Sequence, residues 1–113
     1  MVRAYVPEAG DVVWLEFDPQ AGREQAGRRP AVVLTPEGYN KKTNLLVCCP
    51  LTTQIKGYPF EVLVEIDGVQ SAILSDQVKS LDWKVRKAKY KNTVNPEALT
   101  EVRAKVKSLL CIG

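Results

Sequence analysis

DVVWLEFDPQAGREQAGRRPAVVLT, residues Asp11 to Thr35, is the stretch on which the fold reading turns. Asp11 to Phe17 is rich in β-branched and aromatic side chains and stops at Asp18-Pro19, which predicts a strand. PQAGREQAGRR follows, with Gly22, Gly27, two alanines and no large apolar side chain. Such a segment cannot bury itself, so a surface loop is expected. Pro30 restarts order, and Ala31 to Thr35 (AVVLT) is short and almost wholly apolar, as in a strand covered on both faces.

The same alternation of short apolar run and polar connection continues outward. Pro36 to Asn44 reads as polar loop, and Leu45 to Leu51 (LLVCCPL) as a third strand whose end Pro50 places at an edge or bulge. After a polar loop over Thr52 to Pro59, Phe60 to Ile66 alternates Phe, Val, Val and Ile with Glu61, Leu63 and Glu65, the pattern of a half-buried strand. Asp67-Gly68 is a hairpin turn signal leading into Ser71 to Ser75. Between Val78 and Thr93, short strands are expected around 81–85 and 90–94. One helix is plain. Asn95 supplies an N-cap, Pro96 the first helical position and Glu97 an acid at the positive dipole end. Leu99, Val102, Val106, Leu109 and Leu110 then share one face, with Glu101 and Lys105 spaced to pair. Many short strands and one late helix predict a small, strongly bent antiparallel sheet or barrel. At 113 residues the chain has room for one unit spanning 1–113. It buries roughly two thirds of its unfolded surface, so an exposed apolar edge or helix face would favour dimerisation.

Composition narrows the chemistry. There is no histidine, which excludes Ser-His-Asp triads, paired-histidine ribonuclease chemistry, HExxH zinc sites and imidazole pH switches. Lys and Arg total 16 against 13 Asp and Glu, a net +3 that only hints at an anionic partner. Three cysteines make no disulfide framework; Cys48 and Cys49 are neighbours that a strand would point to opposite faces, and all three are read as small buried hydrophobes in a reducing compartment. The N-terminal MVRAYVPEAGDVVW carries Pro, Glu and Asp where a signal peptide needs an apolar run, and no stretch approaches the ~18 apolar residues of a membrane span. A cytoplasmic protein without membrane association is expected.

Three basic elements could meet an anion: the loop with Arg23, Arg28 and Arg29; Lys41-Lys42; and KVRKAKYK, residues 84–91, where five cations accompany Tyr90. Closely spaced cations suit phosphates and an aromatic among them offers a base a surface to stack on, although lysines guarding a solvated strand edge read the same way. Arg29 precedes Pro30, so its backbone is biased toward extended and the strand that follows places its guanidinium, a fork of donors suited to a phosphate. Thr52-Thr53-Gln54 stands just past a second buried strand and offers hydroxyl and amide donors, or simply begins a turn.

Taken in order, YVPEAGDVVWLEFDPQAGREQAGRRPAVVL, YNKKT, CPLTTQIKGYPFEV, LSDQVKS and NTVNPEAL resemble the MazF/PemK family of toxin endoribonucleases, close to its MazF branch. The likeness runs over essentially the whole chain. It implies a mainly β fold with a C-terminal helix, an SH3-like barrel of the CcdB/Kid/MazF toxin type, assembled as a homodimer. It implies metal-independent cleavage of single-stranded RNA, chiefly mRNA, at a short sequence, with no cofactor and with growth arrest as the outcome. The implied partner is a MazE-like antitoxin whose acidic, flexible tail occupies the RNA groove.

The family's arginine in R-P-A-V-V-L falls on Arg29, its threonine after the strand-end proline on Thr52, and its loop glutamate on Glu24; these are the implied catalytic residues. Implied RNA-binding residues are Gln25, Arg28, Lys56, Asp76, Gln77, Lys79, Arg86, Lys87 and Lys89. The plasmid Kid branch carries an arginine two residues before the aspartate, where Leu74 stands, and a histidine in its first loop, so Asp76 is left open between general base and framework. Without imidazole, Glu24 is the candidate base, since a carboxylate is ionised at neutral pH. An arginine, which keeps its proton throughout the working pH range, suits charge stabilisation better than proton donation, and Arg29 is assigned accordingly. Two rivals share this fold: a CcdB-like gyrase-binding toxin and an inactive RNA-binding relative.

Overall fold

The computed structural model describes residues 4–17 and 27–112. Seven strands form one curled half-barrel: β1 (Asp11–Glu16), β2 (Arg28–Val33), β3 (Leu45–Thr52), β4 (Glu61–Ile66), β5 (Val69–Leu74), β6 (Lys79–Asp82) and β7 (Lys89–Thr93). Six follow the order β4-β5-β3-β2-β1-β7, β6 pairs with β3, and every pairing is antiparallel. The mainly β class with a late helix is as expected. β2 begins three residues before the AVVLT run, because Arg28, Arg29 and Pro30 already pair with Glu16, Leu15 and Trp14.

β1, β2 and β3 are buried on both faces, and their alternation divides the core in two. Val12, Val32, Cys49 and Leu51 belong to one cluster; Val13, Ala31, Val33 and Cys48 belong to the other. The two adjacent cysteines thus face opposite ways, as a period of two requires. Burial raises both thiols well above their usual range, that of Cys49 to about 12, so neither is a nucleophile at neutral pH.

Pro50 does not mark an edge, since β3 lies inside the sheet. The strand changes partner there: Leu45–Cys48 pair with β6, and Leu51 and Thr52 pair with β5. A residue with no N–H is accommodated at that handover, where the sheet bends. The β4–β5 hairpin turns at Asp67 (φ 53°) and Gly68 (φ 79°), the paired positive values of a type I′ turn.

The expected loop over Pro36 to Asn44 is instead largely a helix, α1 (Glu37–Thr43). It has no apolar stripe to announce it. Glu37 stands in its first turn, Lys41 and Lys42 in its last, and Asn44 closes it in the left-handed conformation (φ 62°). Its anchor is Asn40, fully buried. The Asn40 amide donates to the carbonyls of Pro7 (2.8 Å) and Thr35 (2.9 Å) and accepts the Thr35 hydroxyl (2.6 Å), while its own carbonyl accepts Trp83 Nε1 (2.9 Å).

α2 (Pro96–Leu109) is capped as expected, Asn95 Oδ1 accepting the Ala98 N–H at 2.8 Å. Only part of its apolar face is used: Val102 is buried, Leu99 and Val106 pack against the first cluster, and Leu109 and Leu110 remain exposed. Lys105 donates to the Pro59 carbonyl, tying α2 to the loop before β4. Among the described residues no helix is long and apolar enough to cross a membrane.

Candidate active site

The β2–β3 ladder ends at Ala31 opposite Pro50. Pro30 stands next beyond that end and has no N–H to carry the ladder further. The strands part there and a cleft of about 370 Å³ opens. Arg29 and Thr52, each two residues beyond the last pair of the ladder, both line the cleft. A residue expected to hold phosphate and a hydroxyl expected to contact it therefore come together from sequence positions 23 apart.

Arg28 lines the cleft as well, its Nη2 3.4 Å from the Lys87 carbonyl. As neighbours on a strand, Arg28 and Arg29 direct their side chains to opposite faces of β2. Thr52 Oγ1 accepts the Gln54 N–H at 3.1 Å, which starts the next loop. Accepting there leaves the hydroxyl proton to be donated outward. Thr52 is at once a turn residue and a cleft donor.

The lining residues not named as site residues from the sequence include Trp14, Asp67 and Lys91. Lys91 Nζ lies 2.7 Å from Asp67 Oδ2 and 5.0 Å from the centre of the Trp14 ring, and Asn92 donates to Asp67 Oδ1 at 2.9 Å. The Asp67 carboxyl is held below the usual carboxylate range, chiefly by its hydrogen bond from Lys91. The hairpin tip is thus tied to β7 across one end of the cleft. Lys91 was visible only as one of five cations in the 84–91 run.

A second cleft of about 240 Å³ shares Thr52 as its wall and is lined by Gln54, Lys56, Tyr58, Glu61, Asp76 and Gln77 among others. It gathers three expected RNA-binding residues, Lys56, Asp76 and Gln77. The remaining basic residues lie elsewhere. Lys79 Nζ sits 5.4 Å over the Phe17 ring. Arg86 and Lys87 belong to the turn before β7, with Arg86 Nη1 donating to the Glu16 carbonyl at 2.8 Å, and Lys89 opens β7 opposite Trp14. Glu24 and Gln25 lie outside the described residues. Among the described residues no cluster of three or more His, Cys, Asp or Glu has the spacing of a metal site.

Residues 8–110 match the family described as PemK-like, MazF-like toxin of type II toxin-antitoxin system. The endoribonuclease toxin MazF of Escherichia coli K12 is 52% identical over 110 residues, covering 97% of this chain and 99% of its own. The crystal structure of MazF from Deinococcus radiodurans superposes with a TM-score of 0.91 at 50% identity, covering 96% of this chain and all of that one. A MazE-MazF crystal structure from the same organism matches with a TM-score of 0.85 at 44% identity, over 97% of this chain and all of the matched chain.

Proposed function

We propose how this chain, which belongs to the PemK-like, MazF-like family of type II toxins and is a MazF-like endoribonuclease, cleaves its substrate: single-stranded RNA is cut in the cleft that Arg29 and Thr52 both line. Their shared cleft is the observation that carries the reading. RNA cleaves itself once a 2′-hydroxyl loses its proton and lines up against the adjacent phosphorus. The 2′ oxygen bonds to phosphorus, the bond from phosphorus to the 5′ oxygen breaks, and the departing oxygen takes up a proton. The products are a 2′,3′-cyclic phosphate and a 5′-hydroxyl, with no metal needed.

Each residue answers one demand of that path. Arg29 holds the phosphate and offsets the charge that grows on the phosphorane. Thr52 donates its hydroxyl proton to a non-bridging oxygen. Glu24, which lies between β1 and β2 in sequence, takes the 2′ proton. In the adjoining cleft Lys56, Asp76 and Gln77 contact the RNA beside the scissile phosphate, and Arg28 and Gln25 contact it from the β1–β2 side. Lys79, Arg86, Lys87 and Lys89, which line neither of these clefts, meet phosphates further along the strand through long-range attraction. Asp76, exposed on the 3-10 turn Ser75–Gln77, belongs to RNA contact.

The protein acts as a homodimer in the cytoplasm, with exposed Leu109, Leu110 and Ile112 at the end of α2 supplying apolar surface for a second copy. Its antitoxin is a MazE-like protein, in keeping with the MazE-MazF complexes to which the chain is similar, and its acidic tail competes with RNA for the cationic clefts. A CcdB-like gyrase poison or an inactive relative is not favoured, since the relative at 52% identity is an endoribonuclease. The deciding test is incubation of the purified protein with mixed-sequence RNA in EDTA, followed by sequencing of the cut ends. Sequence-specific cuts ending in 2′,3′-cyclic phosphate are expected; intact RNA, or cutting only when a metal is restored, overturns the proposal.

A further inference from the structure

Glu61 is the one acidic side chain of the second cleft that is fully engaged with backbone. Its Oε1 accepts the N–H groups of Gly57 (2.8 Å) and Tyr58 (3.2 Å), and its Oε2 accepts that of Lys56 (3.2 Å). Three consecutive amides converging on one carboxylate form a nest, and charge-assisted hydrogen bonds of this kind are about twice as strong as neutral ones. The nest requires Gly57 at φ +80°, a conformation that side chains resist. The other end of the same loop is fixed by Thr52, whose hydroxyl accepts the Gln54 N–H. The loop from Thr52 to Pro59 is therefore pinned at its start by the proposed phosphate donor and at its end by Glu61.

What the loop presents is a recognition surface. Lys56 Nζ lies 5.9 Å from the Tyr58 ring centre, and that ring packs 5.5 Å from Phe60. Gln54, Asp76 and Gln77 add amide and carboxylate groups around the same 240 Å³ space. A cation, a stackable ring and side-chain donors and acceptors beside the Thr52 wall are what it takes to tell one unpaired base from another. None of the Lys56, Gly57 and Tyr58 backbone positions lies in a strand, so their placement depends on what their N–H groups bond to.

We infer that Glu61 is a positioning residue for base selectivity: by holding the Lys56–Tyr58 backbone it sets where Lys56 and Tyr58 meet the nucleobase next to the cut. The inference rests on the reading of the neighbouring cleft as the RNA-cleaving site. Glu61 touches no reacting atom, so its effect is on which sequences are cut. Replacing it with glutamine keeps an oxygen for Gly57 and Tyr58 but sets an amide donor against the Lys56 N–H. Aspartate keeps the charge but is one methylene too short to reach all three.

The test compares wild type, Glu61→Gln and Glu61→Asp on an RNA pool randomised around the cut, reading relative rates at every site from the sequenced ends. Amide exchange at Lys56, Gly57 and Tyr58 is followed in parallel. In both variants the preference for the best sequence over its single-base neighbours is expected to fall about tenfold, the worth of one charge-assisted hydrogen bond, with faster exchange at those three amides and little change in rate at poor sites. A uniform fall at all sites overturns the inference in favour of a merely structural role, and so does an unchanged selectivity profile. Failure of the wild type to cut any RNA overturns the parent reading and is distinguished at once from either. If one variant does not fold, the other and the exchange measurement decide.

Discussion

The two ends of β3 receive opposite treatment. At the Leu45 end the strand is paired with β6, and the buried polar group beneath it, Asn40, has every contact made within the protein. At the Thr52 end the ladder to β2 has stopped at Pro30, and polar side chains line open clefts. In the proposed function the same strand is framework at one end and working surface at the other. The difference lies in backbone pairing: where the ladder continues, polar groups are consumed by the fold, and where it is interrupted they are left for a ligand.

The largest effect expected from this contrast is at Arg29. Arg29→Ala is expected to lower the cleavage rate about a thousandfold, near the upper end of what one transition-state donor supplies, with an unchanged circular dichroism spectrum; near-normal cutting would erase the distinction between the two ends. Thr52→Val keeps the branched shape but removes the hydroxyl, and a fall of about a hundredfold in single-turnover rate is expected. At the other end the sign of the comparison reverses. Asn40→Leu leaves carbonyls of Pro7 and Thr35 without their donor. A loss of about 3 kcal/mol in stability by urea denaturation is expected, while the folded protein cuts RNA at nearly the wild-type rate.

The smallest effect concerns the Asp67–Lys91 tie across the cleft. The Asp67 carboxyl ionises more readily folded than unfolded, so its contribution is present above the ordinary carboxylate range and is lost as pH falls through the lowered folded value. Asp67→Asn is expected to flatten slightly the decline of the urea midpoint between neutral and acid pH, and to leave cleavage at pH 7 within a few fold. An unaltered pH profile would show that the tie does not hold the cleft end in solution.

Much of this was legible before any coordinates. The first strands written in Val, Leu and Ile, the Asp67-Gly68 turn and the Asn95-Pro96 cap depend on local chemistry and appear where that chemistry places them, whereas the strand expected around 81–85 is Lys79–Asp82, with a turn over 83–87. α1 was not legible because nothing apolar repeats along it; its stability comes from Asn40 reaching Pro7, 33 residues away. Arg29 and Thr52 could each be singled out at the end of an apolar strand, but their meeting at one cleft depends on how those strands pair. Trp14, Asp67 and Lys91 were missed for a related reason, since Asp67 and Lys91 meet across 24 residues of chain and neither neighbourhood signals the other. Pro50, expected at an edge or bulge, stands where β3 trades one partner for another mid-length, which leaves the same local mark.

The proline that ends the ladder also restricts what else can occupy the cleft. An extended polypeptide can dock on a sheet by adding itself as a strand, drawing on main-chain donors. On the β2 side of the opening it meets Pro30, which has none to give. A competitor placed there must be recognised through its side chains, and small inhibitors aimed at this opening gain more from an anionic group set between Arg29 and Thr52 than from mimicking a peptide backbone.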